Sequence, residues 1–255
     1  MRNTMAATSK RWTDRMRAAQ EEFAKRIAQA LPHDGAVEPQ PGLGLRRYSR
    51  PTVPVHGFYE PSFCVIAQGS KVILLGEDSF RYDPAHYMIT TVELPMTGQV
   101  VEASAERPFL GLRLVLDPSV VAAVMVEAGL VRPLDEGSGV KALDVSALDV
   151  NLLDATLRLL RLLDTPGEYR VLAPLVVREI VYRLLTGAQG SRMRHLARFG
   201  GQAHRMVRAV EILRKNFDKP LRIGGCQRPL QIQPPAATFK NSSLIERYSC
   251  IARGT

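Results

Sequence analysis

The sequence is poor in the patterns by which most chemistry announces itself. It has three cysteines, Cys64, Cys226 and Cys250, too few and too unevenly spaced for a disulfide framework, and a reducing cytoplasm fits that usage. Cys64 lies in an apolar, strand-like run and reads as a small buried hydrophobe. No purely apolar run exceeds the seven residues of Val120 to Val126, whereas a membrane span needs roughly 20. Arg2, Lys10 and Arg11 have no apolar stretch behind them, so no secretory signal is expected. Five histidines are present, His33, His56, His86, His195 and His204, and no two are spaced as a ligand pair on one strand or helix, so no metal is expected. Only His86 falls securely among predicted strands, and it reads as a structural or hydrogen-bonding residue. No nucleophile elbow, phosphate loop or dinucleotide fingerprint occurs. Glu60 and Asp83 stand near strand ends and read as turn or solvated carboxylates rather than general acids. Tyr59, Tyr82 and Tyr87 are candidate pocket residues, though strands favour aromatics for packing alone. Neither an enzyme nor a cofactor is expected.

What is present is a 255-residue chain, 45% hydrophobic and 23% charged, ample to bury a core. Trp12, Met16, Phe23, Ile27 and Leu31 recur at helical spacing and predict a helix over Lys10–Leu31. Pro32 to Gly35 ends it, and "VEPQPGLG" reads as a loop. From Leu43 to Leu116, short apolar runs ("FCVIAQG", "KVILLG", "HYMITTV", "FLGLRLVL") follow one another with turn residues between them. "GED" at 76–78 marks a tight hairpin. Strands so closely spaced, with no helices between them, imply an antiparallel sandwich or barrel.

Helices follow. Asp117 and Pro118 suit a helix start, and Gly129 suits its end. A leucine-rich helix is predicted over Val145–Leu163, apolar on more than one face, which must bury its second face against the strands, another helix or another subunit. Leu152, Leu153, Leu157 and Leu160 are the candidate dimerisation residues. A further helix is predicted over Pro174–Leu185, and another over His204–Phe217. The net charge of +9 is uneven. Nine Lys or Arg between Ser191 and Arg222 face only Glu211 and Asp218, leaving +7. Such a stripe is either a nucleic-acid footprint or a solvated helix face. Arg205, Arg208, Arg214 and Lys215 are the candidate phosphate contacts.

The stretch Phe58–Pro118 resembles the N-terminal regulatory domain of AraC-type bacterial transcriptional regulators. The pieces that carry the likeness are Tyr59-Glu60-Pro61-Ser62, Ala67-Gln68-Gly69, Leu75-Gly76, Tyr82-Asp83, Gly98-Gln99-Val100 and Leu116-Asp117-Pro118. "RLLDTP", "VLAPLVVREIVYRLLTG" and "RAVEILRKNFDKPLRI" resemble the same family in the same order, so the likeness runs from about Leu43 to Ile223. It implies an α+β protein: a cupin-like antiparallel β-barrel (a double-stranded β-helix) that senses a small molecule, then an α-helical dimerisation region, then a helix-turn-helix DNA-binding domain. The expected division is an N-terminal helix and linker (1–42), the barrel (43–118), the helical region (119–200), the first helix of the DNA-binding domain (201–223) and an irregular tail (224–255). The expected partners are a small-molecule effector, DNA and a second copy of the chain, in the cytoplasm and without a membrane. The effector's contacts cannot be assigned before the strand register is known, because a one-residue slip turns every side chain to the other face.

After Ile223 the likeness stops. "GGCQRPLQIQPPAATFK" has neither apolar period nor helix signal where a recognition helix should read the bases. A shifted reading frame or a natural truncation with a disordered tail would each produce this. On either account sequence-specific DNA binding is expected to be lost, leaving basic residues that attract phosphates without sequence preference. The rival readings are a cupin-type enzyme and an interaction module that binds no DNA.

Overall fold

A computed structural model describes residues 2–131 and 142–198. It is an α+β protein with two antiparallel sheets and a layer of helices. Helix α1 spans Arg2–Ala30, longer at its start than the apolar stripe predicts. Its Phe23 and Ile27 are fully buried, and Met16 packs beside the same core.

Among the described residues ten strands follow the order of the chain: β1 Gly35–Gln40, β2 Leu43–Tyr48, β3 Val55–Tyr59, β4 Ser62–Gln68, β5 Ser70–Leu75, β6 Asp78–Tyr82, β7 His86–Thr90, β8 Leu94–Glu102, β9 Phe109–Val115 and, after helix α2 (Pro118–Glu127), β10 Leu143–Ala147. The larger sheet has the order β1-β2-β9-β4-β7-β10 and the smaller β3-β8-β5-β6. These are two open sheets, so the expected closed barrel is not what the described residues form. The chain passes repeatedly from one sheet to the other, and each keeps its own edges.

Three predictions change in detail. The "VEPQPGLG" loop is largely strand β1. It lies at the sheet's edge, where Pro39 costs no ladder bond, and its register with β2 shifts between Val37 and Gln40. The first residues of the predicted Val145–Leu163 helix are strand β10, paired with β7 through Val145 opposite Met88. Asp149 then starts helix α3 (Val150–Arg161) by accepting hydrogen bonds from the Asn151 and Leu152 amides at 2.8 and 3.1 Å. Helix α4 runs from Pro166 to Thr186, so Pro174 sits inside it rather than opening it. Pro166, in its first turn, is where the missing amide is harmless. The hairpin at Gly76 is as expected: Leu75 pairs with Asp78, and Gly76 adopts φ +60°. Asp117 caps α2 through the Ser119 amide at 2.7 Å.

The larger sheet is buried on both faces. Phe63, Val65, Tyr87, Ile89, Leu110, Leu112 and Leu114 face the helices. Cys64, Ile66, Met88, Phe109 and Leu143 face the smaller sheet, meeting Ile73, Tyr82, Met96 and Val100. This is why "FCVIA" reads as a continuous apolar run: alternate residues serve two different cores.

Candidate functional site

The strand register resolves which side chains point between the sheets. On β2 and β9, Arg46 stands opposite Gly111 and Gly44 opposite Arg113. On β4, Ile66 stands opposite Gly111 and Cys64 opposite Arg113, and Cys64 also faces Met88 on β7. On the smaller sheet Lys71 of β5 lies opposite Tyr82 of β6. Together with Tyr59 at the end of β3 and Phe109, these residues, Gly44 apart, line a cavity of about 30 Å³, room for a body no larger than one or two waters.

Its chemistry is unlike the rest of the interior. Lys71, Arg46 and Arg113 bring three cations to one small space. Arg113 reaches the Glu60 carboxylate at 3.3 Å. Among the described residues no carboxylate pairs with Lys71 or Arg46. The Lys71 ammonium lies 3.5 Å from the Tyr59 hydroxyl, a long contact, and 5.3 Å from the centre of that ring. An ammonium has three protons to donate, so this leaves its capacity largely unused. Burial, aided by Arg46, lowers the Lys71 pKa from 10.5 to about 8. The same burial pushes the Tyr59 and Tyr82 hydroxyls and the Cys64 thiol up, so all three stay neutral near pH 7.

Gly98 on β8 makes the arrangement possible. A Cβ there would overlap the Tyr59 hydroxyl and come within 2.9 Å of Lys71 Cε. Only the hydrogen side chain lets both polar groups turn inward at this level. A second hollow, of about 190 Å³, lies between α1 and the end of α3 beside Arg26 and Asp164. Its two charges bond to each other at 2.6 Å.

The residues named from sequence distribute as follows. Tyr59 and Tyr82 do line the cavity, whereas Tyr87 faces the helices against Phe63. His86 bonds Asp83 at 2.7 Å, and Asp83 also holds the Ala85 amide of the turn at 2.9 Å. Among the described residues no cluster of His, Cys, Asp or Glu is arranged to hold a metal, and no helix is long and apolar enough to cross a membrane. Leu152, Leu153, Leu157 and Leu160 are 2, 0, 1 and 3% exposed. All four fill the protomer's own core, which corrects their assignment to a dimer surface: α1 and α4, not a second subunit, flank α3. Arg205, Arg208, Arg214 and Lys215 lie outside the described residues. Lys71, Arg46 and Arg113 were not singled out from sequence. The available signal was Lys71 two residues before Ile73, a charge on the inward face of a strand.

The two sheets, backed by helices, thus enclose a small cavity into which Lys71, Arg46 and Arg113 converge. The profile described as AraC-type transcriptional regulator N-terminus matches residues 39–192. That is well over half of the chain, which therefore belongs to the AraC-type transcriptional regulators. No curated protein matches the sequence. Among solved structures, apo ToxT from Vibrio cholerae is 9% identical with a TM-score of 0.42, each chain covered over 58%. ToxT with a bound unsaturated fatty acid is 7% identical, with a TM-score of 0.39 and coverage of 64% of this chain and 58% of that one. The AraC-like activator CuxR is 10% identical, with a TM-score of 0.34 and coverage of 58% and 53%. The chain thus spans little more than half the length of these proteins.

Proposed function

We propose that this chain is the sensory part of an AraC-type regulator. A small molecule settles between the two sheets, two copies pair through the helical layer, and sequence-specific DNA binding is lost. The observation that carries the sensory reading is the set of polar side chains turned into an otherwise apolar space, of which Lys71 and Arg46 have no carboxylate partner among the described residues. The strand order supports a cupin-like ancestry. β2-β9-β4-β7 faces β3-β8-β5-β6, the pattern of two interleaved Greek keys, with β1 and β10 added at the edges of one sheet.

Pairing is better served by α4 than by α3. Val171, Leu175 and Tyr182 are 68, 60 and 48% exposed, and with Arg178 between them they recur at spacings of four, three and four. That is the seam of a two-helix contact. Leu175→Glu should convert a dimer to a monomer with its thermal stability intact, as read by light scattering. A monomer in the unmutated protein would remove the pairing reading.

The loss of base readout rests on the tail after Ile223, which lacks the signals of a recognition helix. Binding to the gene's own upstream DNA and to random DNA, at two salt concentrations, tests it. Weak binding that is equal on both and vanishes with salt is expected. Tight binding confined to the upstream DNA would refute the loss. The sensory reading is tested by ligand-dependent thermal stabilisation, which a vestigial sandwich would not show.

A further inference from the structure

Resting on that sensory reading, we propose that the inter-sheet cavity takes a short-chain monocarboxylate, its acid group held by Lys71, Arg46 and the Tyr59 hydroxyl and its few carbons by the apolar wall. The surplus of positive charge around the cavity favours an anion. Three cations line the space and one carboxylate, Glu60, answers them, already engaged with Arg113. Holding like charges together in a half-buried site is unfavourable, and an entering anion removes that penalty at once. The donors suit a carboxylate: an ammonium with unused protons, a guanidinium without a carboxylate partner among the described residues, and a neutral phenol, all able to donate and none competing as an anion.

The walls favour an organic anion over an inorganic one. Ile66, Met88 and Phe109 line the same cavity, and they offer nothing to a phosphate's remaining oxygens. Size limits the carbon part. The cavity of about 30 Å³ is the size of one or two waters, so even a small acid enters only as lining side chains move aside. Met88, unbranched and adaptable, is the lining side chain best able to give way to a short chain. Gly98 and Gly111 keep that space clear of side chains above Lys71 and beside Arg46.

A proton accompanies the ligand. With Lys71 at about 8, part of the population is neutral in mildly alkaline solution, and a bound carboxylate restores the ammonium. Arg46 on β2, Arg113 on β9, Glu60 before β4 and the neutral Tyr59, Cys64 and Tyr82 are the other titratable groups around it. Lys71 changes charge between pH 7 and 9. Affinity therefore falls as pH rises through 8.

The test uses the full chain with sodium butyrate, the neutral isostere butyramide and sodium chloride at matched ionic strength, read by calorimetry and thermal shift. Butyrate should bind saturably and raise Tm, and butyramide and chloride should not. Lys71→Met should weaken butyrate at least tenfold, with the far-UV spectrum unchanged, and Arg17→Gln on the exposed face of α1 should not. Affinity should drop several-fold between pH 7 and 9 in the unmutated protein only. Butyrate acting no better than chloride, or undiminished in Lys71→Met, overturns the proposal. Saturable stabilisation by butyramide overturns the anion but keeps the sensory reading. Silence from every probe, extended to a panel of neutral sugars and alcohols, overturns both.

Discussion

The two faces of the larger sheet make opposite use of the same strands. Toward the helices, Phe63, Val65, Leu110, Leu112 and Leu114 meet Phe23 and Ile27 of α1 and the leucines of α3 in a wholly apolar core. Toward the smaller sheet, the alternate residues leave a gap and surround it with Arg46, Arg113 and, from across the gap, Lys71. The first face is built for stability. The second gives some of it up, because a half-buried ammonium without a counter-charge is a net cost to folding. Such local costs concentrate where a protein binds something.

Four substitutions would break or sharpen that contrast. Phe23→Ala, on the stable face, should be the most damaging. It empties a fully buried ring site and should lower unfolding free energy by about 3–5 kcal/mol, measured by urea denaturation. Gly98→Ala acts on the opposite face and should cost about 1–3 kcal/mol, because its methyl meets the Tyr59 hydroxyl and the Lys71 chain. It should also abolish ligand-dependent stabilisation, which Phe23→Ala should not do in whatever fraction remains folded.

Lys71→Met should go the other way and stabilise the protein by about 1–2 kcal/mol at pH 7, read by the same denaturation. Its pH signature is distinct. The folded pKa lies below the unfolded one, about 8 against 10.5, so between those values the unfolded chain holds more protons. Stability therefore rises with pH across that window. The methionine variant should lose this rise, and an unchanged profile would show that Lys71 is solvated after all.

The smallest effect belongs to the helix surface, where Glu22 of α1 accepts from Arg161 at 2.6 and 2.9 Å and from Arg26 at 2.8 Å. Hydrogen bonds from Arg161 and then Arg26 lower its pKa from 4.5 to about 2. The stabilisation is present above 4.5 and lost as pH falls toward 2. The group is partly solvated, so Glu22→Gln should cost less than about 1 kcal/mol near pH 7. The difference from the parent should disappear in acid, as followed by thermal unfolding across pH.

Much of the fold is legible in the sequence. Phe23 and Ile27 showed their stripe through a 3.6-residue period, and Asp117 with Pro118 marked a helix start, because these signals are local. What failed was non-local. Strand β10 looked like the beginning of a helix because "LDVSALDV" satisfies either period, and only the open edge of β7 selects the strand. The α3 leucines announced that two faces must be buried, and α1 and α4 supplied the partners. Lys71 is the sharpest case. Its inward direction depends on the β5 register, and its lack of a counter-charge depends on strands far away in sequence.

By itself, the sequence determined the family, the run of antiparallel strands followed by helices, and the helix caps, since these follow from residue type and short-range spacing. Only the tertiary structure decided which charges share a space. Arg46, Lys71 and Arg113 come from three different strands, and their meeting is set by the packing of one sheet on another.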